Sequence, residues 1–251
     1  MHPAIRSSRP LVFAHRGGSK IGPENTITAF DRGLAAGADA LELDVHLSRD
    51  GIVVVHHDPT LDRIGRAKGP LKDRTAAELA TIDVPTLREV LGRYPQTGII
   101  IELKERGAAL ARAVVDEVRG AGAVDRVCLG SFSVSALRAV RALAPTIATS
   151  GARFEVRMAL YRSWFGLPPG RVPYQSFQVP ETSGATRVVS PRFVELAHKA
   201  GIAVQVWTVD EPADIRRLLE WGVDGIISDR PDVAVEVVRE WVSRKAIVER
   251  R

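Results

Sequence analysis

The 251-residue sequence has a single cysteine, Cys128, so it cannot form an internal disulfide. A disulfide-stabilised secreted scaffold is therefore excluded, and a reducing compartment is permitted. Aromatic residues make up only 6% of the chain, and the arginines and lysines form no long basic tract despite a formal net charge of +5. We therefore expect no nucleic-acid partner, whereas a positive field that attracts anionic substrates is compatible with this balance.

Long apolar runs are also missing. No stretch approaches the roughly 18 apolar residues of a membrane span. The apolar run 11–14 is shorter than the apolar region of about 7–15 residues in a signal peptide. These absences predict a cytoplasmic protein without a transmembrane segment. The apolar fraction of 45% is nevertheless sufficient for a sizeable core.

What the sequence does contain is a repeated alternation of short apolar runs and amphipathic segments. The predicted strands are 11–14, 40–45, 98–103, 126–129, 146–150, 176–179, 202–207 and 225–228. Helices fit between them, the first over 23–36 and the last starting near Pro231. This order predicts a single α/β domain over residues 1–251 with the (β/α)8 TIM-barrel fold. A doubly wound sheet also fits the alternation, but it gathers ligands at a switch point rather than along one rim.

Two segments interrupt the alternation. One is a small insertion over 59–85 after the second strand, and the other is a longer excursion over 153–174 after the fifth. The second segment combines arginines with large apolar residues, namely Met158, Leu160, Tyr161, Trp164, Phe165 and Leu167. It is either a lid whose apolar side meets a lipid tail or a helix packed on the barrel, and the sequence leaves both open.

Carboxylates lie on the second and third predicted strands. Side chains at positions i and i+2 of a strand share a face, so Glu42 and Asp44 point the same way, as do Glu102 and Lys104. A salt-bridged strand end is the simpler explanation. A carboxylate pair on an apolar strand needs a strong positive partner, however, and oxygen ligands suit a hard cation such as Mg²⁺ or Ca²⁺. The sequence therefore predicts a divalent-cation site.

Two histidines also stand near the ends of predicted strands. His15 follows the first strand, and His57 shares a face with Val53 and Val55, whereas His56 points the other way. A metal with oxygen ligands leaves imidazoles free for proton transfer. We therefore expect His15 and His57 to be catalytic and His56 to be structural.

Four other acidic or amide residues each have an interpretation that does not require a catalytic role. Glu24 and Asn25 stand at a predicted helix start, where capping explains them. Asp229 is interpreted as an N-cap before Pro231. Asp58 either orients a histidine or caps the turn that follows, and these two alternatives stay open.

Nine segments occur in order over residues 11–235. They are His15-Arg16-Gly17-Gly18, Pro23-Glu24-Asn25-Thr26, Glu42-Leu43-Asp44-Val45, Asp50-Gly51-Ile52-Val53-Val54-Val55-His56-His57-Asp58, Pro85-Thr86-Leu87-Arg88-Glu89, Ile101-Glu102-Leu103-Lys104, Ser131-Phe132, Val206-Trp207-Thr208-Val209-Asp210 and Gly225-Ile226-Ile227-Ser228-Asp229-Arg230-Pro231. This ordered set resembles the glycerophosphodiester phosphodiesterase family. The resemblance implies a barrel hydrolase that uses a divalent cation, Mg²⁺ or Ca²⁺, to cleave glycerophosphodiesters into sn-glycerol 3-phosphate and an alcohol.

The resemblance also implies roles for particular residues. Carried over by position, the acid/base pair is His15 and His57, the metal ligands are Glu42, Asp44 and Glu102, and the phosphate contacts are Arg16 and Lys104. Trp207 ends the seventh strand and is expected to line the substrate pocket rather than the plain core. The resemblance further suggests that the glycerol 2-hydroxyl attacks first, which gives a cyclic phosphate that water then opens.

Other functions compete with this one. A lysophospholipase D would use the same site, with the fatty chain of a lysophospholipid along 153–174. A retaining glycosidase would place carboxylates on a barrel rim but would need neither histidine nor cation. A barrel that only binds a phosphorylated ligand would not need His15 and His57. We therefore expect a small-molecule phosphodiester as the partner.

Overall fold

Parallel strands form the inner layer of the fold, and helices surround them. The computed structural model describes residues 4–63, 65 and 67–248. In chain order the strands are β1 (Leu11–His15), β2 (Ala40–Leu47), β3 (Val53–Val55), β4 (Gly98–Leu103), β5 (Val127–Gly130), β6 (Ala148–Thr149), β7 (Ser176–Pro180), β8 (Thr182–Ser183), β9 (Thr186–Arg187), β10 (Ala203–Trp207) and β11 (Gly225–Ser228). Parallel pairing runs in the order β6-β5-β4-β2-β1-β11-β10-β7. A parallel bridge between Ser150 and Ser176 brings the two ends of this order together, which confirms the predicted TIM barrel.

Helices follow the barrel strands. They are α1 (Ile27–Ala35), α2 (Ala76–Ala80), α3 (Leu87–Arg93), α4 (Ala108–Gly120), α5 (Val134–Leu143), α6 (Arg153–Trp164), α7 (Pro191–Lys199), α8 (Pro212–Glu220) and α9 (Pro231–Val248). Capping boxes at Thr75 and Thr86 fix the starts of α2 and α3, because each threonine and the glutamate three residues later satisfy one another's backbone amides. Within the described part of the chain, no helix has both the length and the apolar character needed to cross a bilayer.

Strand alternation divides the core into an outer and an inner part. On β1, Val12 and Ala14 belong to the cluster between the strands and the helices, whereas Leu11 and Phe13 belong to a second cluster. The members of that inner cluster are Ala4, Ile5, Leu11, Phe13, Ala40, Ile100, Cys128, Ala148 and Ile227. Two residues further along β1, β2 and β4, the same alternation reaches His15, Glu42 and Glu102. The polar residues at the carboxyl ends of these strands therefore lie above an apolar floor.

Several predicted boundaries differ from the structure, and local geometry explains two of them. Helix α1 begins at Ile27 rather than near residue 23, because Asn25 has a φ of 56° and the Thr26 hydroxyl caps the helix by accepting from the Ala29 amide. The fifth predicted strand, 146–150, is reduced to β6. There the Ile147 amide donates to the Ala144 carbonyl in a turn that follows α5.

The segment 153–174 begins with a regular helix. Its first part is helix α6, which packs between α5 and α7 in the outer ring. Ala159, Leu160 and Ser163 form the buried face of this helix. Over residues 153–164 the structure has the packed helix, which is one of the two interpretations that the sequence left open.

Candidate active site

Strand register brings the predicted site residues together. The parallel pairing of β1 with β2 places His15 beside Glu42, and the pairing of β2 with β4 places Asp44 beside Glu102. Glu42 and Asp44 share one face of β2, so the four side chains form two adjacent rows at the carboxyl end of the barrel. One carboxylate oxygen from each of Glu42, Asp44 and Glu102 lies within 4.8 Å of the other two.

The three carboxylates repel one another in a buried place. Burial and the neighbouring Asp44 carboxylate raise the pKa of Glu42 to about 8. Burial also raises the pKa of Glu102 above its ordinary value. For Asp44, burial acts in the same direction, but the positive charges of Lys104 and Arg16 outweigh it and hold its pKa below the ordinary value. A compact set of buried carboxylate oxygens, in which burial and mutual repulsion still raise the pKa of Glu42 and Glu102, fits a hard divalent cation.

Two cationic side chains flank the carboxylates. The Lys104 ammonium lies 3.1 Å from Asp44 Oδ1 and 3.3 Å from Glu102 Oε2. The backbone amide of Arg16 donates to Glu42 Oε2 at 3.1 Å. Its side-chain Nε lies 3.3 Å from Asp44 Oδ2, yet the geometry gives this buried N–H no hydrogen-bond partner among the described residues. A buried guanidinium N–H without a partner is unusual, and this one faces the Asp44 carboxylate.

Each of the two predicted catalytic histidines is held by an aspartate. His15 Nδ1 lies 2.6 Å from Asp229 Oδ1, and His57 Nδ1 lies 2.6 Å from Asp58 Oδ1. A carboxylate at Nδ1 fixes the proton there and leaves Nε2 as the atom that exchanges a proton. The Nε2 atom of His15 lies 3.8 Å from Glu42 Oε2, at the edge of the carboxylate cluster.

The surroundings shift the two imidazoles in opposite directions. Burial lowers the pKa of His15, but the Glu42 and Asp229 carboxylates outweigh it and leave that pKa above the ordinary value. Burial dominates at His57 and leaves its pKa below the ordinary value. Two imidazoles with pKa values shifted in opposite directions on one rim suit general acid and general base catalysis by a pair of groups.

The N-cap interpretation of Asp229 is wrong. Helix α9 begins at Pro231, so Arg230 occupies the position that immediately precedes the helix. Asp229 instead reaches across the junction of β11 with β1 and bonds His15, which is 214 residues away in sequence. Only closure of the barrel brings these two residues together. The sequence around either residue does not indicate that they are in contact.

The capping explanation of Glu24 and Asn25 is also wrong. Asn25 Nδ2 donates to Asp44 Oδ2 at 3.0 Å, which orients one of the clustered carboxylates. The Glu24 carboxylate accepts from Arg16 at 3.3 Å and from Arg63 at 2.6 Å. These two residues therefore support the site from the loop that follows β1.

Histidines outside the predicted pair hold the loop after β3. The His56 ring bonds the Thr60 carbonyl at 3.2 Å, and the His46 ring bonds the His57 carbonyl at 3.1 Å. Both side chains are buried, and this geometry agrees with the structural role expected for His56. Trp207 ends β10, and its ring meets the ring of Phe132 edge-on with 6.1 Å between centroids.

Comparisons with known proteins identify the family of the chain. Residues 15–233 match the model of the glycerophosphoryl diester phosphodiesterase family. The chain is 32% identical over 255 residues to a glycerophosphodiester phosphodiesterase of Caldanaerobacter subterraneus, covering 92% of this chain and 99% of that protein. It is 26% identical over 261 residues to a lysophospholipase D of Rattus norvegicus, covering 87% and 83%. The crystal structure of a putative glycerophosphoryl diester phosphodiesterase from Silicibacter pomeroyi superimposes with a TM-score of 0.79 at 26% identity, covering 95% and 96%.

Proposed function

Because the chain belongs to the glycerophosphoryl diester phosphodiesterase family, we propose that it hydrolyses glycerophosphodiesters to sn-glycerol 3-phosphate and an alcohol in a reaction that depends on a divalent cation. One observation carries this proposal: three carboxylates and two histidine–aspartate pairs meet on one rim of the barrel. A glycosidase would have no use for the histidines, and a protein that only binds would have no use for oriented imidazoles.

The cation would be held by Glu42, Asp44 and Glu102, and Mg²⁺ and Ca²⁺ both suit this oxygen donor set. When bound, such an ion neutralises phosphate charge and lowers the pKa of a hydroxyl group. Asn25 and Lys104 orient the Asp44 carboxylate from two sides. The chain thereby supplies a site whose ligands are preorganised by their own hydrogen bonds.

The remaining residues have roles that follow from their positions. Arg16 and Lys104 would bind the phosphate oxygens, and Trp207 would form one wall of the pocket. One histidine of the pair His15 and His57 would take the proton from the glycerol 2-hydroxyl as its oxygen bonds to phosphorus. The other histidine would give its proton to the departing alcohol oxygen. Water then opens the cyclic phosphate, and the two histidines exchange roles.

A substrate analogue without the 2-hydroxyl tests this sequence of steps. With glycerophosphocholine we expect sn-glycerol 3-phosphate and choline as the products. The propane-1,3-diol analogue should react at least about 100-fold more slowly, because it has lost the nucleophile held next to phosphorus. Both rates are measured by the release of choline. Equal rates would show that water attacks directly, and no turnover of any glycerophosphodiester would refute the proposed function.

Asp229 is predicted to act as a positioning residue through His15. The Asp229→Asn variant keeps the shape of the side chain but removes its charge, and we expect kcat to fall by roughly 10-fold to 100-fold with little change in KM. Because Asp229 raises the pKa of His15, the limb of the pH–kcat profile that belongs to His15 should move to lower pH. Asp232→Asn, which removes an ion pair with Arg230 at the start of α9, is the matched control. An unchanged pH profile in Asp229→Asn would contradict the assignment.

A lysophospholipase D activity is the second candidate. The observation that favours it is the apolar edge beside the proposed pocket, where Phe132 lies against Trp207 and under the Arg153 guanidinium. An acyl chain that leaves the pocket would meet this edge. Comparison of kcat/KM for lysophosphatidylcholine and glycerophosphocholine decides the question, since activity on glycerophosphocholine alone would remove this candidate.

We also propose that the chain works as one domain in the cytoplasm. The barrel strands extend from Leu11 to Ser228, so truncation within that range would open the barrel. Residues 1–3, 64, 66 and 249–251 lie outside the described residues. Limited proteolysis tests the first part of this proposal, and cell fractionation tests the second.

A further inference from the structure

Helix α6 and the residues just after it carry most of the large apolar side chains that the described residues expose. Seven of these nine side chains lie between 132 and 167, and six lie between 154 and 167. They are Phe132, Phe154, Met158, Tyr161, Trp164, Phe165 and Leu167. Phe165 is 81% exposed, and Phe154 and Trp164 are each 54% exposed. A concentration of exposed apolar side chains of this kind indicates an interaction surface.

The spacing of these residues makes one stripe on the helix. Phe154, Met158, Tyr161 and Phe165 follow one another at intervals of four, three and four residues, which is the period of a single helical face. The opposite face holds Ala159 and Ser163, which are buried. The packing of α6 in the fold thus uses one face and leaves the apolar stripe outside.

Positive charge borders this stripe. Residues 151–175 contain four arginines, at 153, 157, 162 and 171, and a single acidic residue, Glu155. The Glu155 carboxylate is bound by Arg141 at 2.7 Å. Among the described residues, no carboxylate lies within ion-pair distance of Arg153 or Arg157. An apolar stripe with unneutralised arginines beside it complements a surface that is apolar inside and anionic outside.

We propose that the outer face of α6 docks on membranes that contain anionic phospholipids. Tyr161 and Trp164 are residue types that settle at the headgroup level of a bilayer, and Arg157 would meet the lipid phosphates. The stripe starts at the barrel mouth. There the Arg153 guanidinium lies 5.0 Å from the centroid of the Phe132 ring. Docking on α6 therefore brings the pocket next to the membrane surface, whether or not lipids are its substrates.

A second copy of the chain is a poorer occupant of this face. In a two-fold dimer the same patch meets itself, so the arginines of one copy would approach those of the other. Arg153 and Arg157 would then lack carboxylate partners in both copies, and their burial would be costly. Charge complementarity therefore favours an anionic membrane over a second copy of the chain as the partner of this face.

Vesicle co-sedimentation tests the proposal. Phosphatidylcholine vesicles with and without phosphatidylglycerol are mixed with the full chain, and the bound fraction is measured at low and high salt. We expect binding only to the phosphatidylglycerol vesicles, with a decrease at high salt. Trp164→Ser together with Phe165→Ser should weaken the partition by at least about 10-fold, through the loss of apolar insertion. Arg153→Gln together with Arg157→Gln should weaken it by roughly 20-fold.

Ile52→Ser is the matched control. Ile52 is also exposed, but it lies in the turn between β2 and β3, away from the stripe, so its replacement should leave the partition unchanged. Circular dichroism establishes that each variant is folded, and vesicle binding is read without turnover, so the result does not depend on the proposed activity. Equal binding to both kinds of vesicle, or wild-type partition in either double variant, would overturn the proposal. A dimer that dissociates in Trp164→Ser/Phe165→Ser, with no vesicle binding by the wild type, would assign the face to a second copy instead.

Discussion

Removal of divalent cations is expected to reduce hydrolysis of glycerophosphocholine to background, and addition of Mg²⁺ or Ca²⁺ is expected to restore it. The reason is electrostatic: the three clustered carboxylates repel each other and an anionic substrate unless a cation lies between them. Asp44→Asn and Glu102→Gln should each lower kcat/KM by about 100-fold or more. The reason is that stabilisation of phosphate charge by the cation is worth several kcal/mol in the transition state. The measurement is initial rate against cation concentration after dialysis with a chelator.

A matched carboxylate outside the cluster provides the control. Glu117 forms an ion pair with the exposed side chain of Arg88 on the helix layer. Glu117→Gln should leave the rate and its cation dependence unchanged, because exposed ion pairs contribute little. A wild-type rate in Asp44→Asn at low cation concentration would show that the cluster is not where the cation acts.

Loss of either proposed catalytic histidine is the second large effect. His15→Ala and His57→Ala should each lower kcat by roughly 100-fold or more, the range for removing general acid or base catalysis. Each substitution removes the imidazole itself, whereas Asp229→Asn only weakens its orientation, so the effect should exceed that of Asp229→Asn. The measurement is kcat at saturating substrate and cation, with folding checked by circular dichroism.

The neighbour of His57 is the internal control for this prediction. His56 bonds the Thr60 carbonyl and lies outside the carboxylate cluster, so His56→Ala should reduce stability but retain most of kcat. The reverse result, with His56 essential and His57 dispensable, would mean that the strand alternation assigns the wrong histidine to the pocket.

The fold and the clustering of the three carboxylates could be predicted from the sequence because local rules determine both. A period of two places Glu42 and Asp44 on one face of β2, and parallel register then sets Asp44 beside Glu102. The boundaries of the longer strands followed from their apolar runs. The short β6 did not, because its two residues are preceded by a turn at Ile147 that carries the same apolar pattern.

The supporting residues could not be predicted, because their partners come from distant parts of the chain. Asp229 and Asn25 each had a sufficient local explanation, and only the closed barrel shows that they hold His15 and Asp44. Helix α6 is a related case. The sequence identified its apolar residues, but which of them face outward depends on how the helix packs between its neighbours.

Calorimetric titration of the metal-free protein with Mg²⁺ and Ca²⁺, combined with the rate on glycerophosphocholine at each cation concentration, tests the central claim most directly. We predict one bound cation per chain and a half-saturation that coincides with half-maximal activity. Both signals should be lost in the Glu42→Gln/Glu102→Gln variant, because two of the three clustered carboxylates are then neutral. Full turnover by the wild-type protein in excess chelator, or unchanged cation binding by this variant, would contradict the account.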